Sequence, residues 1–151
     1  MVEVDATLIL WGDRFDPDAV TSVMGFSPTR ARKKGDLVSM SGKSSERTRT
    51  GMWTLCTSTR VKSGASSDHI RFLLQVAGKK LTALTDAKTV DKARLSVMVS
   101  VSEDAPTWEE EIEPDLLRTM GELKVSLAIT VLCPLSPDAR RSVDSEDTNL
   151  D

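Results

Sequence analysis

The chain has 151 residues, 39% of them hydrophobic and 28% charged, which suits one domain with a core of its own. Its net charge of −3 supplies no global basic field for nucleic acid or a membrane surface. No apolar run approaches the roughly 20 residues that span a bilayer. The opening "MVEVDATLIL" lacks the basic region and small-residue cleavage site of a signal peptide, so a cytoplasmic location is expected.

Residues 2–11 alternate as a strand does, with Val4, Ala6, Leu8 and Leu10 on one side and Asp5, Thr7, Ile9 and Trp11 on the other. Asp16-Pro17 then starts a helix: the carboxylate caps free N–H groups, and Pro wastes no donor at the first helical position. Val20, Val23 and Met24 form its apolar stripe, and Gly25 suits a left-handed end. Residues 27–50 read as a long connection rich in Ser, Lys, Arg and Gly, with a short extended piece at "DLVSM" and a mobile stretch at 42–51. Residues 52–59 form a strand by residue type, and 62–67 a loop. A helix over 68–80 follows from Ile70, Leu73, Leu74 and Ala77.

Strands at 93–101 and 123–133 alternate cleanly. The first sets Leu95, Val97, Val99 and Val101 against Ser96, Met98 and Ser100; the second sets Val125, Leu127, Ile129 and Val131 against Ser126, Ala128 and Thr130. Between them a second Pro-Asp helix begins at 114. Residues 136–151 hold little apolar surface and read as a disordered acidic tail.

"DPDAVTSVMGF" (16–26) and "EPDLLRTMGEL" (113–123) share a phrase: an acid, Pro-Asp, an apolar run, Met-Gly. The plan strand, Pro-Asp helix, strand thus occurs at about 2–59 and again at 94–133, joined by the helix at 68–80. The expected fold is one α+β domain over 1–135. It is a two-layer, ferredoxin-like sandwich of duplicated β-α-β units, forming one mainly antiparallel four-stranded sheet with helices on one face. The other face, lined by Thr7, Ser96, Ser100, Ser126 and Thr130, is left for solvent or a partner. Strand order is not readable.

Catalytic equipment is sparse, and no catalytic residue, metal ligand or cofactor is assigned. The one histidine, His69, sits at a helix start and is expected to face solvent or cap. Cys56 and Cys133 lie in apolar, β-branched surroundings and read as reduced, buried thiols; nothing in the spacing makes Cys56 and His69 a nucleophile and base. No phosphate-binding glycine motif is present. With no Tyr, three Phe and three Trp, an aromatic platform for stacked bases looks poor. Asp13, Asp16 and Asp18 have oxygen ligands for Mg²⁺ or Ca²⁺, but Glu109, Glu110, Glu111, Glu113 and Asp115 stand in the equivalent place before the second helix. One acidic cluster per helix start fits capping and the helix dipole better than a metal site.

Charge is sorted along the chain. Arg30, Arg32, Lys33, Lys34, Lys43, Arg47, Arg49, Arg60 and Lys62 are opposed only by Asp36 and Glu46, whereas 103–115 holds acids and no base. A dipolar molecule is expected. Its basic loop, 30–62, has the donors to grip phosphates, an acidic protein surface or the acidic stretch of another copy.

The run "FDPDAVTSVMGFSPTRARKKGD" followed by "GMWTL" resembles the pattern of a bacterial family known as domain of unknown function 4279. The matching positions are Phe15, Asp16, Pro17, Gly25, Pro28, Thr29, Lys34, Gly35, Asp36, Gly51 and Trp53. "SSDHIRFLLQVA" resembles the family's central helix, and the resemblance covers about residues 5–132. The Ser- and Thr-rich insertion at 39–50 and the charged tail depart from it. It implies a fold rather than an activity, and no catalytic residue carries over.

The expectation is a non-enzymatic protein-binding module, of a small accessory or immunity type. The candidate partner- or anion-binding residues are Arg30, Arg32, Lys33, Lys34, Arg47, Arg49 and Trp53. Anion or nucleic-acid binding through the basic loop is the alternative, and a metal-dependent enzyme using Asp13, Asp16 and Asp18 ranks third. A protein partner is expected; a homodimer is compatible with an open sheet face, and membrane association is not expected.

Overall fold

A computed structural model describes residues 2–40, 44–47, 49–104 and 107–133, with backbone alone at 38–40 and 44–47. The tail at 136–151 lies outside the described residues. Among the described residues seven strands and three helices follow one another as β1 (Val2–Gly12), α1 (Pro17–Met24), β2 (Arg30–Arg32), β3 (Leu37–Met40), β4 (Ser44–Arg47), β5 (Gly51–Cys56), α2 (Ser66–Asp86), β6 (Lys92–Val101), α3 (Pro114–Glu122) and β7 (Val125–Leu132).

The main sheet has the order β2-β5-β1-β6-β7. Its β2/β5, β5/β1 and β1/β6 pairs are antiparallel, and β6/β7 is parallel. The fold is therefore α+β with a five-stranded, mixed, open sheet, where four strands were expected. The addition is β2, whose three residues Arg-Ala-Arg carry no apolar pattern and pair only at an edge. β3 and β4 form a separate two-stranded sheet. The extended piece at 37–40 thus has a partner inside the stretch expected to be mobile; residues 42, 43 and 48 of that stretch lie outside the described residues.

The two Pro-Asp units do not build equal halves. β1 and β5, the strands of the first unit, lie side by side and antiparallel, whereas β6 and β7 of the second are parallel. The long connection from 25 to 50 contains β2, so the chain has already returned once before β5 enters the sheet. β5 consequently lies between β1 and β2, and β1 lies between β5 and β6.

The alternation read from the sequence sets the layers. Ala6, Leu8, Leu10, Trp53, Leu55, Ala93, Leu95, Val97, Val99 and Val101 point into one core with Val20 and Met24 of α1, Ile70, Leu73, Ala77 and Leu81 of α2, and Leu116 and Met120 of α3. Each fully buried aliphatic side chain of this kind stabilises by about 1.5–3 kcal/mol. The helices cover that side of the sheet; the alternate residues lie on the other. α2 runs longer than expected, to residue 86, and bends at Gly78, whose φ of 45° and ψ of −141° interrupt the helical backbone.

Candidate functional site

The uncovered side of the sheet is organised by register. Trp11 lies opposite Met52 on one flank and Lys92 on the other, and Met52 lies opposite Arg32. One step inward, Ile9 sits between Thr54 and Arg94, and Thr54 is opposite Arg30. Residues directly across a ladder share a face, so Arg30, Arg32, Lys92 and Arg94 share one end of this surface with Trp11. Lys92 Nζ is 5.5 Å and Arg94 Cζ 5.4 Å from the Trp11 ring centroid, within the cation–π range. A recess of about 420 Å³ opens beside Trp11, bordered by Asp13, Thr50 and Asp91 as well as the two cations.

Several basic residues here are already engaged. Arg32 Nη2 donates to the Met52 sulfur at 3.5 Å, and its Nε is buried with no protein acceptor. Lys34 donates to Asp13 at 2.6 Å, and this bond and charge hold the Asp13 carboxyl below its ordinary value, Arg14 adding a smaller share. Asp91 accepts from the Asp13 backbone N–H, and Asp36 from that of Lys33.

The opposite end of the same face is acidic. Glu3 and Asp5 border a polar groove of about 550 Å³ together with Ser58, Lys62, Ser63, Met98 and Ser100. Behind it lies a hydrogen-bonded chain that runs from the half-buried Cys56 and Asp5 to the buried Thr57 and His69. The Cys56 thiol donates to the Asp5 carboxylate at 3.1 Å. The Thr57 hydroxyl accepts from the Ala6 N–H and stands 3.2 Å from Asp5 Oδ1 and 2.6 Å from His69 Nδ1. His69 Nε2 is 2.8 Å from the Ser63 carbonyl oxygen. A carbonyl only accepts, so Nε2 donates to Ser63; in the tautomer that carries only that proton, Nδ1 accepts from Thr57.

His69 is therefore buried, at 1% exposure, and not solvent-facing as expected; the loop at 57–65 folds over the start of α2 and covers it. Both ring nitrogens are committed to Thr57 and Ser63, and the Cys56 thiol is committed to Asp5, so no hydrogen bond pairs Cys56 with His69 as nucleophile and base. Nor are the thiols buried as expected: Cys56 is half-buried, Cys133 is exposed, and both are free.

The acidic clusters separate into distinct structural tasks. Asp16 accepts from the Asp18 N–H as the cap of α1, while Asp13 pairs with Lys34. Among the described residues no group of His, Cys, Asp and Glu is arranged to hold a metal ion. At the start of α3 the expected capping does not occur: Glu113 makes no side-chain cap bond, and Asp115 pairs with Arg118. Glu110 instead accepts from the Ser67 N–H, supplying to α2 the cap that Ala65 cannot.

Of the sequence candidates, Arg30 and Arg32 stand on the open face, and Lys33 and Lys34 are exposed in the turn that follows. Arg49 is exposed outside the sheet, and the Arg47 side chain falls outside the described residues. Trp53 is a correction: it is fully buried, points to the helical side, and donates from its indole to Thr21 of α1 at 3.0 Å. Trp11, Lys92 and Arg94 were missed. They belong to strands read correctly, but only the cross-strand register places them beside Arg30 and Arg32.

A family model described as "Domain of unknown function (DUF4279)" matches residues 2–134. No curated protein and no solved structure matches the chain. No helix among the described residues is long and apolar enough to cross a membrane. The match spans most of the sequence, and the chain belongs to that family.

Proposed function

We propose that this member of the DUF4279 family is a non-enzymatic binding module, of an accessory or immunity type, that docks an acidic protein surface on the basic end of its open sheet face. The observation that supports the reading is the register that gathers Arg30, Arg32, Lys92 and Arg94 around Trp11. Charge-assisted hydrogen bonds from arginine to carboxylate are roughly twice as strong as neutral ones, and a half-buried indole beside them gives an apolar anchor of the kind that dominates interfaces. We also read β1-α1-β2 and β5-α2-β6, each split by a strand of the other, as a ferredoxin-like core to which α3 and β7 are added. Such a core keeps its helices on one side and leaves the other for a ligand.

The test is the affinity for a fluorescent peptide of consecutive Glu and Asp residues, read by anisotropy at low salt. Arg30→Glu with Arg94→Glu should weaken it by about tenfold or more, as expected for charge reversal at a close pair. Unchanged affinity in a folded variant would remove the basis of the reading.

Nucleic-acid binding is favoured by one feature, the half-buried Trp11 indole among cations. It predicts a single-stranded oligonucleotide complex whose affinity falls steeply with salt and with Trp11→Ala. An oligonucleotide that outcompetes the acidic peptide would favour this second reading.

A further inference from the structure

We infer that the acidic surface received by this face is the other end of the same face on a second copy of the chain. The inference rests on the docking reading above and names its occupant. Along β1 the open-face residues run Trp11, Ile9, Thr7, Asp5, Glu3; along β6 they run Lys92, Arg94, Ser96, Met98, Ser100. Cations lie at one end, a neutral row of Thr7, Cys56 and Ser96 at the centre, and carboxylates at the other.

A two-fold axis lying in the interface and crossing the strands at the Thr7 row turns each strand over onto its own copy, reversed. Trp11 then stands over Glu3 and Lys92 over Ser100, Ile9 over Asp5 and Arg94 over Met98, so each cation has a carboxylate one strand, about 4.8 Å, to its side. Because the contact is isologous, the match forms twice. A two-fold axis parallel to the strands sets Lys92 and Arg94 near their own copies and Glu3 near Glu3, which like-charge repulsion disfavours. Lys62, exposed on the rim of the acidic groove, and Asp13 and Asp91, exposed beside the cations at the other end, oppose the arrangement.

The surface is large enough. Five strands about 4.8 Å apart, the longest pair reaching about 34 Å, present on the order of 600–800 Å², close to the roughly 800 Å² each partner gives to a standard interface. Its middle carries Ile9 and Cys56, half-buried, and Met98, which is 47% exposed, so association removes apolar as well as charged surface from water.

Sedimentation equilibrium of the full chain tests the pairing with two charge-reversed variants. Lys92→Glu puts acids on both sides of the outer row of each junction, and Glu3→Lys puts bases on both sides; each leaves Arg94 and Asp5 in place. The wild type should be a dimer that weakens with salt. Each variant alone should dissociate on the order of tenfold more readily, and an equimolar mixture of the two should regain the dimer, since both junctions again join opposite charges. A wild type that stays monomeric at low salt overturns the inference, as does a mixture no tighter than its components. If that monomer still binds the acidic peptide through Arg30 and Arg94, only self-pairing fails; if it binds no peptide, the docking reading fails with it.

Discussion

The helices α1 and α3 begin with the same words and end differently. In α1 an aspartate caps the first turn, Pro17, Val20 and Met24 are buried, and Gly25 closes the helix in the left-handed conformation at φ 72°. In α3 the residue before proline is Glu113, which makes no cap bond, and Gly121 lies inside the helix. The backbone turns left-handed only later, at Lys124, with φ 55°. Gly25 follows Pro17 by eight positions, Gly121 follows Pro114 by seven. One residue fewer leaves the glycine a third of a turn early, and the helix runs past it. α1 is also tied to the sheet by the Trp53 indole through Thr21. Shared punctuation therefore fixes where a helix can start; spacing and tertiary contacts decide where it stops and how firmly it is held.

Removing the tie should have the largest effect. Trp53→Ala empties a fully buried site and should cost about 3–5 kcal/mol in urea denaturation. A loss under about 1 kcal/mol would mean that α1 is not anchored there. The two glycines should then respond in opposite directions. Gly25→Ala forces a side chain into the left-handed region at a cost of about 1–2 kcal/mol, while Gly121→Ala should stabilise by about 0.5–1 kcal/mol, because it fills a helical position with the better helix former. Destabilisation by both would erase the distinction between a terminating and an internal glycine.

The caps give a smaller contrast. Asp16→Ala should lose about 1 kcal/mol, and Glu113→Ala should stay within about 0.5 kcal/mol of wild type. Equal losses would show that Glu113 works through something other than a cap bond. The smallest effect is electrostatic. Lys34 lowers the Asp13 pKa, so their attraction is present above the ordinary carboxylate range and is lost as the pH falls through the depressed value. In Lys34→Ala the Asp13 titration followed by NMR should move up towards the ordinary value, with no measurable change in midpoint denaturant concentration, since the pair is exposed. An unmoved titration would assign the shift to Arg14.

Much of the fold was legible because β1, β6 and β7 alternate strictly, and a period of two has one structural meaning. The short strands β2 and β4 carry polar sequences that only pairing makes extended, so neither was visible. The site was legible in composition and not in place. Arg30 and Arg32 stood out as part of a basic run, but Lys92 and Arg94 join them from a strand sixty residues away, through β5 and β1. Trp53 stood among the binding candidates although a tryptophan beside a glycine on a strand is more often core, and the ladder opposite Leu10 shows that it points inward. His69 is buried by an irregular loop just before its helix, and Glu110 caps a helix that begins more than forty residues earlier; neither contact follows from a periodic pattern.

The sorting of charge along β1 and β6 also bears on how fast this molecule meets anything. Positive and negative groups separated along a strand pair of about 34 Å form an electric dipole, and a charged body approaching within a Debye length exerts a torque on it before contact. The open face is therefore turned towards its target during the approach. Added salt should slow the encounter while leaving the lifetime of the finished complex nearly unchanged.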